Sequence, residues 1–386
     1  MFFPLSAVLA VLRISEFDLQ ICGSAALGLC PFHSYHDLVI VQADKLLRIV
    51  REILEAHGAR SDEADLVARH LVDSNLTGHD SHGVARLPRY VEDMRAGGIN
   101  VAAQVKVVRD GPGALVLDGD WCFGQVAATQ IFDLLIERAG TQGVAAGGVY
   151  NTNDTARLGA YTYAVAQRGY FALMAVNDGG WLPLIAPWGG KTPLFSTNPL
   201  SAAAPGTDGP AFCVDMSTCV TAGSRIKLAQ MRGESLDPGT IIDAEGRPST
   251  DPGDLFGSPA GSILPLGAPV AGHKGFGLNL IIDMLCGAVA GAGCSGSGDR
   301  DAQGIFAIVI NVDAFTDRSA FLERAQGLLD SIRSWPKLEG VEDIRIPGEA
   351  AERLREKRQR EGIDVDEPLW RQIRELAVAS EVEVPS

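Results

Sequence analysis

The chain has 386 residues, 46% of them apolar and 21% charged, with a mean hydropathy of +0.10. That is a packed globular composition of two or three domains, and it excludes disorder, collagen and a disulfide-dense scaffold. With 33 Lys and Arg against 48 Asp and Glu the net charge is −15, which repels a phosphate backbone and argues against nucleic acid as a partner.

Residues 1–38 show no sustained period of either kind, and their apolar start, MFFPLSAVLAVL, has no Lys or Arg ahead of it. They are expected to be a poorly structured extension or a misassigned start, not a signal peptide. From Val39, Leu46, Leu47, Val50, Ile53 and Leu54 recur at helical spacing and Gly58 stops the run. A second helix follows, with Ser61 as N-cap and Ala64, Leu66, Val67 and Leu71 as its apolar stripe. From about residue 104, β-rich runs such as VKVVRD, ALVLDG, FALMAVN and IFAIVINV alternate with helical stretches, the pattern of an α/β sheet. Between 177 and 273, clusters of Gly and Pro predict long loops on a rigid scaffold. Beyond about 340 the charged runs ERLREKRQREG and EPLWRQIRELA predict a solvated helix pair that closes the fold.

Seven scattered cysteines, an odd number with no Cys-x-x-Cys pair, suit a reducing compartment, and the expectation is a cytoplasmic protein. No run reaches the roughly 18–20 apolar residues of a bilayer span. There is no G-x-S-x-G elbow, Walker A loop, H-E-x-x-H or kinase signature.

Four segments could carry chemistry. In GHDSHGVARLPRY (78–90), His82 and Arg86 share a face if the segment is helical, placing a group that titrates near neutrality beside a bidentate carboxylate clamp. The same histidines could simply cap a helix end, and a zinc set from His79, His82 and His273 lacks a carboxylate at any recognised spacing. In GHKGFGLNL (272–280) a glycine-bounded turn opens a helix, an anion site or merely a tight turn; G-x-x-G-x-G is not the dinucleotide fingerprint. APWGGKTPLFSTNPLSAAAP (186–205) and VDMSTCVTAGSRIK (214–227) could line a flat ring or be ordinary loops.

Taken in order, DSHGVARLPRYV (80–91), PWGGKTPLFSTNPLS (187–201), VDMSTC (214–219), DAEGRPSTDP (243–252), GHKGFGL (272–278) and RIPGE (345–349) resemble the type 2 malate/L-lactate dehydrogenase family. That family includes ureidoglycolate, sulfolactate and diketogulonate oxidoreductases and cyclic imino-acid reductases. The resemblance spans about residues 40–380. It implies an NAD(P)-dependent oxidoreductase, usually a homodimer, whose mixed-sheet cofactor domain is not a Rossmann fold. The expected organisation is α/β. A helical, substrate and dimerisation region is formed by 39–115 with 300–386, and a cofactor-binding α/β domain by 116–299.

The resemblance further implies His82 as the proton donor to a reduced 2-oxo acid, Arg86 as the clamp on a small carboxylate substrate, and Ser81 as a partner of either. NAD or NADP would lie along Val176, Asn177 and Asp178, Pro187, Gly189 and Gly190, Thr197 and Asn198, Thr218 and Arg225, and His273, Lys274 and Gly275. Gly348 and Glu349 would lie near its other end. No metal is expected.

Three features depart from the family. Where it often has a second histidine, in S-N-H-x-x-R-L-G, this chain reads TNDTARLG with Asp154. An aspartate is a poor acid at neutral pH, so Asp154 is expected to pair with His82, Arg86 or a polar substrate group. Arg225 stands where lysine is common, and APVA (268–271) is inserted before the Gly-His-Lys turn. The function expected is interconversion of a small 2-hydroxy acid and its 2-oxo acid. The alternatives are a cyclic imino-acid reductase, or a cofactor-binding relative inactivated by Asp154.

Overall fold

The computed structural model describes residues 38–298 and 302–384; the expected extension lies almost wholly outside them. Two hydrophobic cores lie side by side. The first is helical. Strand β1 (Leu38–Val41) pairs antiparallel with β12 (Ile363–Asp366), and α1 (Ala43–Ala56), α2 (Ser61–Leu76), α3 (Leu87–Ala96) and α10 (Glu367–Ala379) share one core with them. In α1 the periodic residues Leu46, Ile49, Val50, Ile53 and Leu54 form the buried stripe. Gly58, at φ +97°, turns the chain. The N-cap of α2 is Arg60, and Ser61 is the first helical residue, its hydroxyl donating to Glu55.

The second core lies on a seven-stranded mixed sheet of order β2-β3-β4-β11-β5-β6-β7, with ranges Lys106–Asp110, Ala114–Cys122, Val144–Thr152, Gln303–Asn311, Tyr170–Asn177, Leu200–Pro205 and Pro210–Met216. Only β3 and β4 run parallel. Helices α4 (Gly124–Gln142) and α5 (Gly159–Gln167) cover the sheet with Ile131, Phe132, Leu135, Tyr161 and Val165. A smaller core around Ile185, Ile226 and Ile263 supports the Gly/Pro-rich loops.

The sheet is not confined to residues 116–299, the expected extent of the cofactor-binding domain. β2 already belongs to it, and β11 lies between β4 and β5. An apolar strand from the far end of the sequence is buried there because antiparallel pairing on both sides satisfies its whole backbone. The C-terminal helix pair is also more than solvated. α9 (Glu349–Glu361) buries no residue fully, yet Arg355 contacts Asp73 and Arg358 contacts Asp80 at 2.9 Å, clamping it to α2 and the turn that follows.

This register puts several chain segments at one edge. The C-terminal ends of β3, β4, β5 and β7 and the starts of β11 and β6 lie together there. In open α/β sheets that carboxyl edge is where ligands bind.

Candidate active site at the carboxyl edge of the sheet

Residues 80–86 are not one helix, so the condition for His82 and Arg86 to share a helical face is not met. Two single 3-10 turns, Asp80–His82 and Val84–Arg86, are separated at Gly83, and α3 begins at Leu87. The cause is Asn75. Its amide nitrogen donates to Asp80 at 2.7 Å and its oxygen accepts from the Val84 amide at 2.8 Å. A Cβ at position 83 would stand 2.1 Å from that oxygen, so only glycine fits. The turn sets His82 and Arg86 toward the loop after β4. Arg86 Nη1 lies 3.5 Å from Asp154 Oδ2, and Arg86 Nε donates to the Ser81 carbonyl at 3.0 Å. Ser81 Oγ and His82 Nδ1 are 3.1 Å apart; this occupies Nδ1 and leaves Nε2 as the nitrogen available to a substrate.

Asp154 is 7% exposed. Its Oδ2 accepts from the Tyr90 hydroxyl at 3.1 Å, and its Oδ1 from the Ala156 amide at 3.3 Å and the Gln303 amide at 3.4 Å. Gln125 donates to the Tyr90 hydroxyl at 2.7 Å. Burial pushes the carboxyl upward, but Arg86, His82, Arg89 and the Ala156 amide together hold it below the usual carboxylate range. Asp154 is therefore a fixed anion, not an acid. Burial, then the charge of Arg86, pushes the His82 imidazole down to about 4, and burial pushes the Tyr90 phenol up. Behind this cluster Arg157 bridges Asp73 at 3.1 Å and Asp215 at 4.0 Å.

Tyr90, Gln125, Gln303, Arg157 and Asn75 escaped the sequence reading. Tyr90 had a signal, standing four residues after Arg86 as helical spacing requires. Gln303 had none, because it reaches Asp154 across 149 positions of sequence.

The expected cofactor residues on the strand ends, 176–178, 197–198 and 218, stand along the same edge, whereas Gly348 and Glu349 lie against β7 nearer its start. Gln303 opens β11, whose Gly304 faces Asn177 of β5 while Gln303 itself faces Thr152 of β4. The Asp154 loop and the 176–178 strand end are thus two strand spacings apart, about 10 Å. The side chains of Asn177, Asp178, Asn198 and Thr218 are buried and bonded to the scaffold, while the side-chain amide oxygens of Asn177 and Asn198 have no hydrogen-bond partner. Asn177 donates to Asp283, Asp178 accepts from the Gly180 and Leu182 amides, Asn198 donates to Asn279, and Thr218 donates to the Thr197 carbonyl. Val176 is likewise buried, its amide donating to the Pro199 carbonyl. Gly275 is buried where a Cβ would strike the Leu266 backbone at 2.4 Å, so it serves packing.

What remains accessible is the Pro187–Gly190 loop, with Gly189 at φ +89° and nothing within 4 Å of a Cβ there, and the exposed His273 and Lys274 in the first turn of α7 (Gly272–Asp283). The Trp188 and His273 rings meet edge-on at 6.4 Å, joining the two segments. A helix start, an exposed lysine on it and an open glycine loop suit an anion such as a pyrophosphate, although the Lys274 and Gly275 amides already donate to the Ala271 and Leu266 carbonyls. Arg225 is exposed in the first turn of α6 (Gly223–Arg232). Gly348 lies against the Cys213 backbone on β7, and Glu349 is held by Arg333 at 2.8 Å and by the Ile346 amide at 3.1 Å.

A family model described as malate/L-lactate dehydrogenase matches residues 41–374. The chain belongs to the malate/L-lactate dehydrogenase family. It is 33% identical to a malate dehydrogenase of Pyrococcus abyssi over 347 residues, 88% of this chain and 94% of that one. Among solved structures, sulfolactate dehydrogenase from Methanocaldococcus jannaschii superposes with a TM-score of 0.82 at 30% identity, covering 90% of this chain and 98% of that one. Δ1-Piperideine-2-carboxylate reductase from Pseudomonas syringae superposes with a TM-score of 0.78 at 27% identity, covering 88% and 100%. The chain is therefore an enzyme of a family of 2-hydroxy-acid dehydrogenases, which implies a nicotinamide cofactor. Among the described residues no group of His, Cys, Asp and Glu is placed to hold a metal ion, and no helix is long and apolar enough to cross a membrane.

Proposed function

We propose that the enzyme interconverts a small 2-oxo acid and its 2-hydroxy acid, with His82 moving the proton and Arg86 holding the substrate carboxylate. The observation that carries this reading is the gathering of His82, Arg86 and Asp154 at the carboxyl edge, two strands from the 176–178 segment. A bound nicotinamide cofactor supplies or accepts hydride. His273, Lys274 and the Pro187–Gly190 loop would hold it. Hydride reaching a carbonyl carbon leaves an alkoxide that needs a proton, and His82 is the titratable side chain with a ring nitrogen to offer. At neutral pH its imidazole is uncharged, which suits a base in hydroxy-acid oxidation. A substrate carboxylate on Arg86 offsets one of the two largest causes of the low pKa, so substrate binding raises it and readies His82 as the acid for the reverse direction.

The test is oxidation of NADH and NADPH at 340 nm with pyruvate, 2-oxobutyrate, oxaloacetate and a cyclic imino acid. Turnover of a 2-oxo acid by the wild type supports the proposal. Turnover of the imino acid alone supports the second reading, a cyclic imino-acid reductase, which the anionic Asp154 favours because a carboxylate stabilises a protonated C=N. Cofactor binding with no turnover on the whole panel would leave an inactivated relative.

We also infer a homodimer. Leu280, Ile281, Met284 and Val289 are 43–61% exposed along α7 and the π-turn after it, an apolar face of the kind that marks an association surface. Light scattering should report twice the 40.8 kDa chain mass, and Ile281→Glu should shift it toward the monomer.

A further inference from the structure

Asp154 is an unusual neighbour for a carboxylate-binding arginine, because it already balances the charge the substrate needs. Its four hydrogen-bond and ion-pair partners come from three parts of the chain: Arg86 and Tyr90 around the start of α3, the Ala156 amide in its own loop, and Gln303 at the head of β11. A carboxylate held in this way neither rotates out of the site nor picks up a proton in the neutral range. The other guanidinium groups around it are matched as well. Arg89 pairs with Asp93 at 3.4 Å, Arg157 with Asp73 at 3.1 Å, and Arg358 with Asp80 at 2.9 Å.

Resting on the proposed 2-oxo-acid reading, we propose that Asp154 makes the enzyme selective for singly charged 2-oxo monocarboxylates over dicarboxylates. One substrate carboxylate can take the N–H groups of Arg86 that neither Asp154 nor the Ser81 carbonyl uses. A second carboxylate on the same small molecule stays within the roughly 10 Å over which charges still act on each other at ordinary ionic strength. It meets Asp154 there, with no unmatched guanidinium in this cluster to receive it. Like charges about 6 Å apart at an effective dielectric of about 20 are enough for a preference on the order of ten- to a hundredfold.

The experiment compares 2-oxobutyrate with oxaloacetate, which share a four-carbon chain and differ by a methyl against a carboxylate. Initial rates are measured at fixed pH and ionic strength with whichever reduced nicotinamide cofactor the enzyme takes. Wild type should favour 2-oxobutyrate in kcat/KM by at least tenfold. Asp154→Asn should narrow that ratio by about tenfold or more, mainly through a lower KM for oxaloacetate, whereas Asp154→Glu, which keeps the charge, should preserve it. Equal use of both acids by wild type, or a ratio unmoved by Asp154→Asn, overturns the inference while leaving the dehydrogenase reading intact. If neither protein turns over any 2-oxo acid, that reading fails by itself. The inference is then decided by calorimetric binding of the two anions to the enzyme–cofactor complex: tighter binding of the monoanion, lost in Asp154→Asn, sustains it, and equal binding or none overturns it. The wild-type ratio alone suffices if the asparagine variant does not fold.

Discussion

Around Asp154 the polar side chains are mostly buried or half-buried and matched to one another, whereas along the Pro187–Gly190 loop and the His273–Lys274 turn they stand exposed beside glycine backbone. The two regions share one sheet edge but act through different physics. In the first, burial and charged neighbours together set protonation states: desolvation and the charge of Arg86 hold His82 near 4, while Arg86 and the other neighbours keep Asp154 ionised against its burial. In the second, an exposed loop and helix start form the proposed cofactor contacts, and the side chains under the loops serve as struts. Substitutions in the first region should therefore change chemistry and pH behaviour, and those in the second should change cofactor affinity.

His82→Ala gives the largest expected effect, a fall in kcat of about 10²- to 10⁴-fold. Cofactor affinity, read by quenching of protein fluorescence, should stay unchanged. A loss of affinity equal to the loss of turnover would erase the distinction between the regions.

The buried half should next reveal itself in stability. His70 is buried against Tyr161, with ring centroids 4.7 Å apart, and burial pushes its pKa down to about 4 from 6.5. Between those values the unfolded chain binds a proton that the folded chain refuses. Stability is thus full above about pH 6.5 and declines as pH drops toward 4, by about 3 kcal/mol for this residue. Urea denaturation at pH 7 and pH 5 should show the decline, and His70→Phe, which keeps an aromatic stack, should lessen it. A pH-independent midpoint would contradict the assigned burial.

The smallest effect belongs to the exposed half. Lys274→Ala should raise the cofactor KM about tenfold and leave kcat nearly untouched, as expected for loss of one charge-assisted contact. A fall in kcat instead would place Lys274 with the chemistry.

Much of this is legible in the amino-acid sequence. Alternation of strands and helices gave the α/β class, the 3.6-residue period gave α1, and the ordered motifs pointed to the family that the comparisons show. The domain boundaries could not be read, because IFAIVINV has the same local pattern whether it pairs with its sequence neighbours or slots between β4 and β5. The break at Gly83 was hidden for a similar reason. Its cause is the Asn75 side chain of the preceding helix, and a pattern of apolar spacings does not register where a single amide is aimed.

Asp154 marks the boundary most clearly. The amino-acid sequence determined that a carboxyl group stands there, and ordinary pKa values determined that it would be a weak candidate for an acid at neutral pH. Whether burial would neutralise it or neighbours would keep it charged is a contest between desolvation and the attraction of nearby cations. That contest was decided only when the fold brought Arg86, Tyr90 and Gln303, from both ends of the chain, within 3.1 to 3.5 Å of the same carboxylate.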